Sequence, residues 1–449
     1  MRDPDPLLAL ADETLSAALA AGADEAEAYV SAAAATSMSA VGGFCSPRSV
    51  ESLGVGVRVI VDERPGFAGA SGPDAAQRAI AQALAAARRV ARLDTAPLFA
   101  EPRPVTRPPT TVDPRLDELE PARLQEAVLA ARDALSRAGH VDYATLSVTS
   151  RTGCFAVANT RGVSTWDRRA RETFTMEARV KDGAGTQTAL EVVTSSGPLA
   201  PERDVLPAVE GAAQRASDAI GGGSLLHAMD TVVLAPGPAA QLVRQFAHAF
   251  SARHVQAGRS ALSGRMGEQI TSEAFTLTDE PWTNAGGQLA RVDHEGMPTA
   301  PLALVEAGRL ANYLHDATTA AASKREPTGH GLRTTGLNGG IQIAPHRLHV
   351  RAGGLAVDEV MQASNDAVLI TDPITGAFTT DVATGSFSLV APYAFLLRRG
   401  RIEHALGPTT LGGNLYSMLD DVRAVGRDVT ERIEGRVPTL CLGGVSCAT

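Results

Sequence analysis

The opening of the chain alternates between helical and strand patterning. Leu7, Leu8, Leu10, Leu15 and Leu19 fall at helical spacing and Gly22 follows as a stop signal, which predicts a helix over residues 6–21. Residues 26–33 alternate Ala, Val and Tyr as a strand does. From Ser49 the chain runs into Gly54-Val-Gly-Val-Arg-Val-Ile-Val61, with β-branched residues at 55, 57, 59, 60 and 61. Asp62-Glu-Arg-Pro-Gly66 and Phe67-Ala68 follow, so this region reads as strand, turn and return strand. Pro73 and Asp74 suit the first turn of a helix reaching about Leu93. Residues 95–118, rich in Pro, Thr and Asp, read as a surface loop. Glu120-Pro121 opens a third helix to Gly139, with Leu124, Val128 and Leu135 on one stripe.

From 142 to 195 the period changes to two. The segments 143–149, 154–158 and 172–178 alternate as half-buried strands of an antiparallel meander. A fourth helix, about 201–219, ends at Gly221-Gly-Gly-Ser224, a domain boundary. Beyond it, Thr231-Val-Val-Leu-Ala235 reads as a buried strand, and Pro236-Gly-Pro238 leads into a helix from Ala239 to about Arg253. Strands and turns then dominate, for example 367–370, 386–390 and 393–397. The expected class is α+β in two domains. Residues 1–222 would hold helices plus an antiparallel sheet, and residues 229–449 a mostly antiparallel, barrel-like β domain.

Composition narrows the function. With 44% hydrophobic and 20% charged residues over 449 positions, this is an ordinary folded chain; at 4% aromatics its core must rest on Ala, Val and Leu. A net charge of −9 argues against nucleic acid or anionic lipid as partner. Lys181 and Lys324 are the two lysines, an arginine bias that fits a GC-rich bacterial genome. Cys45, Cys154, Cys441 and Cys447 form no C-x-x-C pair and read as free thiols of a cytoplasmic protein. No basic-then-apolar leader opens the chain, and no apolar run approaches the ~18 residues of a membrane span.

The chemistry-bearing candidates are few. Gly54-Val-Gly56 lies inside a strand and is followed by a hairpin, so it is not a dinucleotide turn. The helix expected at 239–253 carries His248, but Arg244 and Ala252 occupy the positions four away, where a zinc helix needs a second imidazole. Asp293-His294-Glu295-Gly296 reads as a polar turn that could alternatively orient a substrate amine or bind a metal. His346 and His349, three apart, would face opposite ways on a strand. No G-x-S-x-G elbow accompanies Ser251, Ser260 or Ser263. Cys441 and Cys447 sit in an apolar, glycine-rich tail that reads as terminal strand.

Several of these stretches, in order, resemble the TldD/PmbA family. They are Gly54-Val-Gly-Val-Arg-Val59 with Arg64-Pro-Gly-Phe-Ala68, and Ser263-Gly-Arg-Met-Gly-Glu-Gln269. Asp293-His-Glu-Gly-Met-Pro-Thr299 follows, then Val305-Glu-Ala-Gly-Arg-Leu310 with Tyr313-Leu314. Pro327-Thr-Gly-His330, Asp372-Pro-Ile-Thr-Gly376 and Gly385-Ser-Phe-Ser388 complete the series. The resemblance implies a heterodimeric peptidase. Its TldD-type subunits carry H-E-x-x-x-H and a distal cysteine that bind zinc; its PmbA-type (TldE-type) subunits lack them and complete the substrate cavity. Counted against that pattern, the histidines fall on Val243 and His248, the glutamate on Arg244 and the cysteine near Ala424. One imidazole without a carboxylate cannot hold zinc and activate water. The expectation is therefore a non-catalytic PmbA-like subunit with no cofactor of its own, zinc in a TldD-like partner, and a peptide or small amide substrate, a reading that also fits natural-product maturation. Arg244, His248, Asp293 and His294 are its cavity candidates. The alternatives are a peptide- or protein-binding regulator without hydrolysis, and a self-sufficient metal hydrolase using His248, Asp293 and His294.

Overall fold

The computed structural model describes all residues except 1–3, 43, 93–98, 107–111, 119, 139–140, 283–289, 377–380, 382 and 432–434. The N-terminal half contains α1 (Asp5–Ala20), β1 (Glu25–Val41), β2 (Phe44–Val61), β3 (Arg64–Ser71) and α2 (Ala75–Ala87). It continues through α3 (Pro114–Glu118), α4 (Pro121–Ala138), β4 (Val141–Asn159), β5 (Ser164–Asp182), β6 (Gly185–Ser195) and α5 (Leu206–Asp218). The helix after Pro73 is shorter than its pattern suggested. Its buried side Ala83, Leu84 and Ala87 gives way to Arg88 and Arg89. The expected ends at Leu93 and Gly139 lie outside the described residues.

The six strands form one antiparallel sheet in the order β3-β2-β1-β4-β5-β6. The segments 143–149 and 154–158, expected as separate strands, are one 19-residue strand, β4, paired on both sides. Side chains alternate strictly across this sheet. On β1, Ala26, Ala28, Val30 and Ala32 are buried; on β4, Leu146, Val148, Cys154, Ala156 and Ala158; on β5, Phe174, Met176 and Ala178. All are even-numbered and face helices. Helices α1 and α2 cover one end of this face, and α4 and α5 the other. The odd-numbered face of β1, β4 and β5 carries no such layer.

The C-terminal half opens with β7 (Val232–Leu234), α6 (Pro236–Phe246) and α7 (Ala252–Gln256). Strand β7 is central in a six-stranded sheet, parallel to Ala367–Ile370 and antiparallel to Leu440–Leu442. This sheet packs on the far side of α4 and α5: Val233, Leu369, Phe395 and Cys441 share one apolar cluster with Leu124, Val128 and Val209. A second six-stranded sheet, a three-stranded one and a two-stranded one (Gly331–Leu332 with Gln342–Ile343) complete the half among the described residues. Among the described residues these sheets stay open and none closes on itself, so the barrel-like expectation is corrected. Parallel pairs such as Leu348–Val350 with Gly435–Val437 need long crossovers and break the meander that closure would require.

The helix expected at 239–253 is also corrected. It ends at Phe246, a 3₁₀ turn covers Ala247–Phe250, and α7 restarts at Ala252. A tertiary contact accounts for the break. Ala252 N–H donates to Leu314 O at 2.9 Å, and Leu314 N–H to Phe250 O at 2.9 Å, drawing Ser251 into an extended conformation.

Candidate functional site

The odd-numbered sheet face meets the C-terminal half at a buried ionic bracket. Glu27 on β1 is fully buried and accepts Arg58 Nε–H at 2.8 Å and Arg333 Nη2–H at 3.0 Å. Arg58 also donates to Glu295 at 2.9 Å, and Glu295 accepts the Ala317 N–H at 2.9 Å. Two carboxylates and two guanidiniums thus neutralise one another where strands β1 and β2 touch the 293–333 segments. Burial, opposed by Arg58, holds the Glu295 carboxyl above its ordinary pKa. Arg333 is sandwiched by the Tyr29 and Phe67 rings, at 4.8 and 5.3 Å. The glycines of β2 and β3 admit this segment. A Cβ on Gly54 would lie 2.0 Å from Leu337 Cδ1, and one on Gly69 would lie 1.9 Å from the Leu337 carbonyl oxygen.

Beside the bracket lies a cavity of about 390 Å³, lined by residues of β1, β4 and β5 together with His294 and Arg333. Its wall carries the Tyr29 and Phe155 rings, stacked at 5.3 Å, and the arginines 151, 169 and 171. His294 packs edge-on to Phe155 at 4.9 Å. Its Nδ1 accepts the Arg333 N–H at 2.8 Å, which places the proton of the neutral ring on Nε2. Burial and the Arg169 and Arg333 charges hold this imidazole well below its usual pKa, so His294 is a neutral donor at physiological pH.

The other expected site residues lie elsewhere. Asp293 sits beneath the cavity, fully buried, its carboxylate accepting the N–H groups of Glu295, Met297 and Gly331 at 2.9 Å each. It braces a turn through three backbone N–H groups. Arg244 and His248 are exposed and outside the cavity lining. His248 lies on the 3₁₀ turn, its ring 6.4 Å from that of His254; partial desolvation and the His254 and Arg244 charges lower its pKa. At the positions where the resemblance would put zinc ligands, Val243 is buried in α6 and Ala424 is buried in strand Val422–Val425. The residues present there do not fit zinc.

A different trio comes within ion-binding reach of one another: the ligand atoms of Asp279, His330 and His346 lie within 4.8 Å. The hydrogen bonds of the trio are already made inside the protein. His330 pairs Nε2 with Asp279 at 2.9 Å and Nδ1 with Thr328 Oγ1 at 2.8 Å. Asp279 also accepts the Arg347 N–H at 2.7 Å, and His346 Nε2 donates to Gly329 O at 2.7 Å. Burial brings His346 down to about 4. This is a satisfied polar core, and a metal would have to break it.

A curled antiparallel sheet thus carries helices on one face and a polar cavity on the other, with further β-rich sheets behind. Two family models match: PmbA/TldA metallopeptidase domain 1 over residues 46–87 and PmbA/TldA metallopeptidase C-terminal domain over 228–449. The chain belongs to the TldD/PmbA family. It is 25% identical over 389 residues to an uncharacterized protein of Methanocaldococcus jannaschii, covering 85% of this chain and 88% of that one. It is 28% identical over 184 residues to a metalloprotease of Archaeoglobus fulgidus, an alignment covering 41% of this chain and only 42% of that protein. Its fold is that of TldE from Thermococcus kodakarensis, with a TM-score of 0.83 at 21% identity over 98% of this chain and 99% of that one. Among the described residues no helix is long and apolar enough to cross a membrane.

Sequence reasoning missed the cavity arginines. The signal was Arg169 and Arg171 at period two on one strand; what it lacked was the register that puts Arg151 opposite Arg171.

Proposed function

We propose that this chain is a PmbA/TldE-type partner subunit. It forms one wall of a peptide-binding cavity, and a TldD-type chain supplies zinc and the hydrolytic step. The observation that carries this reading is the state of the helix after Pro236. It stops at Phe246 with Val243 buried, Arg244 exposed and His248 on a separate turn, so no ion is shared between them. The sheet supports the same role. Its odd-numbered face is left without a helix layer and offers rings and cations to a ligand, and the described lining holds no carboxylate to act as a base. In such a pair this chain binds and orients the peptide and excludes water around it. We place the pair in the cytoplasm, where the four free thiols persist.

The experiment is reconstitution. Each chain is purified alone, zinc is measured by mass spectrometry, and hydrolysis of an unfolded casein digest is followed with each chain and with the mixture. Hydrolysis only in the mixture, with zinc tracking the TldD-type chain, is the expected result. Stoichiometric zinc together with hydrolysis by this chain alone would overturn it. The same cavity, with its cationic wall and no base, also suits a peptide-binding regulator. Tight peptide binding by an inactive mixture would select that second reading.

A further inference from the structure

We propose that the cavity recognises a carboxylate of an extended peptide, gripped by the guanidinium groups of Arg151, Arg169 and Arg171. The inference rests on the peptide-binding reading above and specifies the class of peptide. Arg151 on β4 stands directly across from Arg171 on β5, and Gly153 directly across from Arg169. Three cations therefore project from one face of two neighbouring strands.

None of the three has an ion pair among the described residues. The contrast with the opposite face is sharp. There Arg168 pairs with Asp117 at 2.9 Å, and Arg123 pairs with Glu172 at 2.6 Å. Asp167 shares the odd face with Arg169 and feels its charge, while its oxygens accept the backbone N–H groups of Arg168 at 3.0 Å and Arg291 at 2.8 Å; the cross-strand pair Arg151 and Arg171 lies further along the strands. Arg333 cannot serve, because Glu27 already neutralises it. Like charges directly opposite on a sheet destabilise it. Burial and the Arg151 charge both draw the Arg171 guanidinium below its usual pKa. An arrangement that costs stability when empty gains it when an anion bridges the pair.

The geometry favours a carboxylate. Arg169 is fixed by Val292 O and the Phe155 ring, and its Nε is buried with no partner. Guanidinium forks match a planar carboxylate with two parallel bonds. Gly153 and Ala33, facing each other across β4 and β1, leave room above the floor. The Tyr29 and Phe155 rings and the His294 Nε2–H would flank the rest of the residue. A volume of about 390 Å³ takes one or two residues, and the net charge of −9 opposes a long polyanion.

The carboxylate could come from a peptide C-terminus or from an Asp or Glu side chain, and the test separates them. The full chain is titrated with a fluorescein-labelled octapeptide, Ala-Ser-Glu-Gly-Ala-Glu-Ser-Gly, read by anisotropy. Three relatives are compared: the C-terminal amide, the form with Gln for both Glu, and the form with both changes. The form that loses the recognised carboxylate should bind about tenfold more weakly, the fold-change of one charge-assisted contact. The R151Q/R171Q variant should bind the acid peptide no better than wild type binds the neutral one. Thermal melts serve as the folding control. Relief of the cross-strand repulsion should leave the variant at least as stable as wild type, and R171K, which keeps the charge and loses the fork, should bind the acid peptide more weakly than wild type and more tightly than R151Q/R171Q.

Equal affinity for acid and neutral peptides, no saturable binding of any of them, or wild-type affinity in R151Q/R171Q would overturn the proposal. A mixed pair that hydrolyses acid and neutral peptides alike would sink this inference and leave the subunit assignment standing. An inactive pair whose PmbA-type chain still selects the acid peptide would do the reverse.

Discussion

Replacing Arg58 by Met tests the ionic bracket that ties the N-terminal sheet to the cavity-bearing segments. Met keeps much of the side-chain stem and removes the charge. Arg58 makes two bonds to Glu27 and one to Glu295, and both carboxylates are fully buried. After substitution Glu27 keeps Arg333, and Glu295 keeps the Ala317 N–H. Breaking a buried pair while leaving its partner charged costs about 3–5 kcal/mol. Urea unfolding, followed by circular dichroism and by Trp166 and Trp282 fluorescence, should show that loss at pH 7. The loss should shrink at lower pH. Burial already raises the folded pKa of Glu295, and removing Arg58 raises it further. An acid with a raised folded pKa favours the folded state fully below its unfolded value and loses that contribution as pH rises through the folded one. The penalty is therefore largest at neutral pH and smaller near pH 5. The double variant R58M/E295Q, which removes the stranded carboxylate and keeps the Glu27–Arg333 pair, should recover part of the loss. A penalty under about 1 kcal/mol at pH 7, or the same penalty at both pH values, would refute the reasoning.

Two further outcomes follow from the packing. Gly69→Ala should cost about 1–3 kcal/mol and expose the 333–339 segment to limited proteolysis, because its Cβ would meet the Leu337 carbonyl oxygen at 1.9 Å; wild-type resistance would contradict that contact. Burial pushes the Cys441 thiol up to about 11 and the Cys447 thiol up to about 12. Iodoacetamide at pH 8 should leave both unmodified in the native chain by mass spectrometry and modify them only after unfolding.

The helices were legible because their signals are local. The leucine spacing of α1 and the stripe of α4 are each complete within one segment. The long strands were harder. Ala32 to Ala35 in β1 is a run of one residue type, and Ser150-Arg-Thr-Gly153 has turn chemistry yet lies mid-strand in β4. Pairing with two neighbours overrode those local signals. The break after Phe246 has no Pro or Gly to announce it, because its cause is Leu314, more than sixty residues on. Asp293-His294-Glu295 looked like a polar turn for the same reason. Its partners Arg58, Gly331 and Arg333 are distant in sequence, and they convert a titratable run into a buried brace.

The parity of the N-terminal sheet links its core to its cavity. Even positions of β4 pack Leu146, Val148, Ala156 and Ala158 against helices, while odd positions present Arg151, Gly153 and Phe155 to the ligand side. A slip of one residue in β4 would drive Thr145, Ser147, Thr149 and Arg151 into the apolar layer and turn Ala156 and Ala158 outward. The register is thus fixed by the helix-covered face, and the cavity inherits it. Arg151 stands opposite Arg171 because Val148 stands opposite Phe174 three residues away. Even-position substitutions should therefore act through stability. Odd-position substitutions around Gly153 should act first on what the cavity binds, and removing Arg151 or Arg171, which face each other as like charges, should cost the fold little.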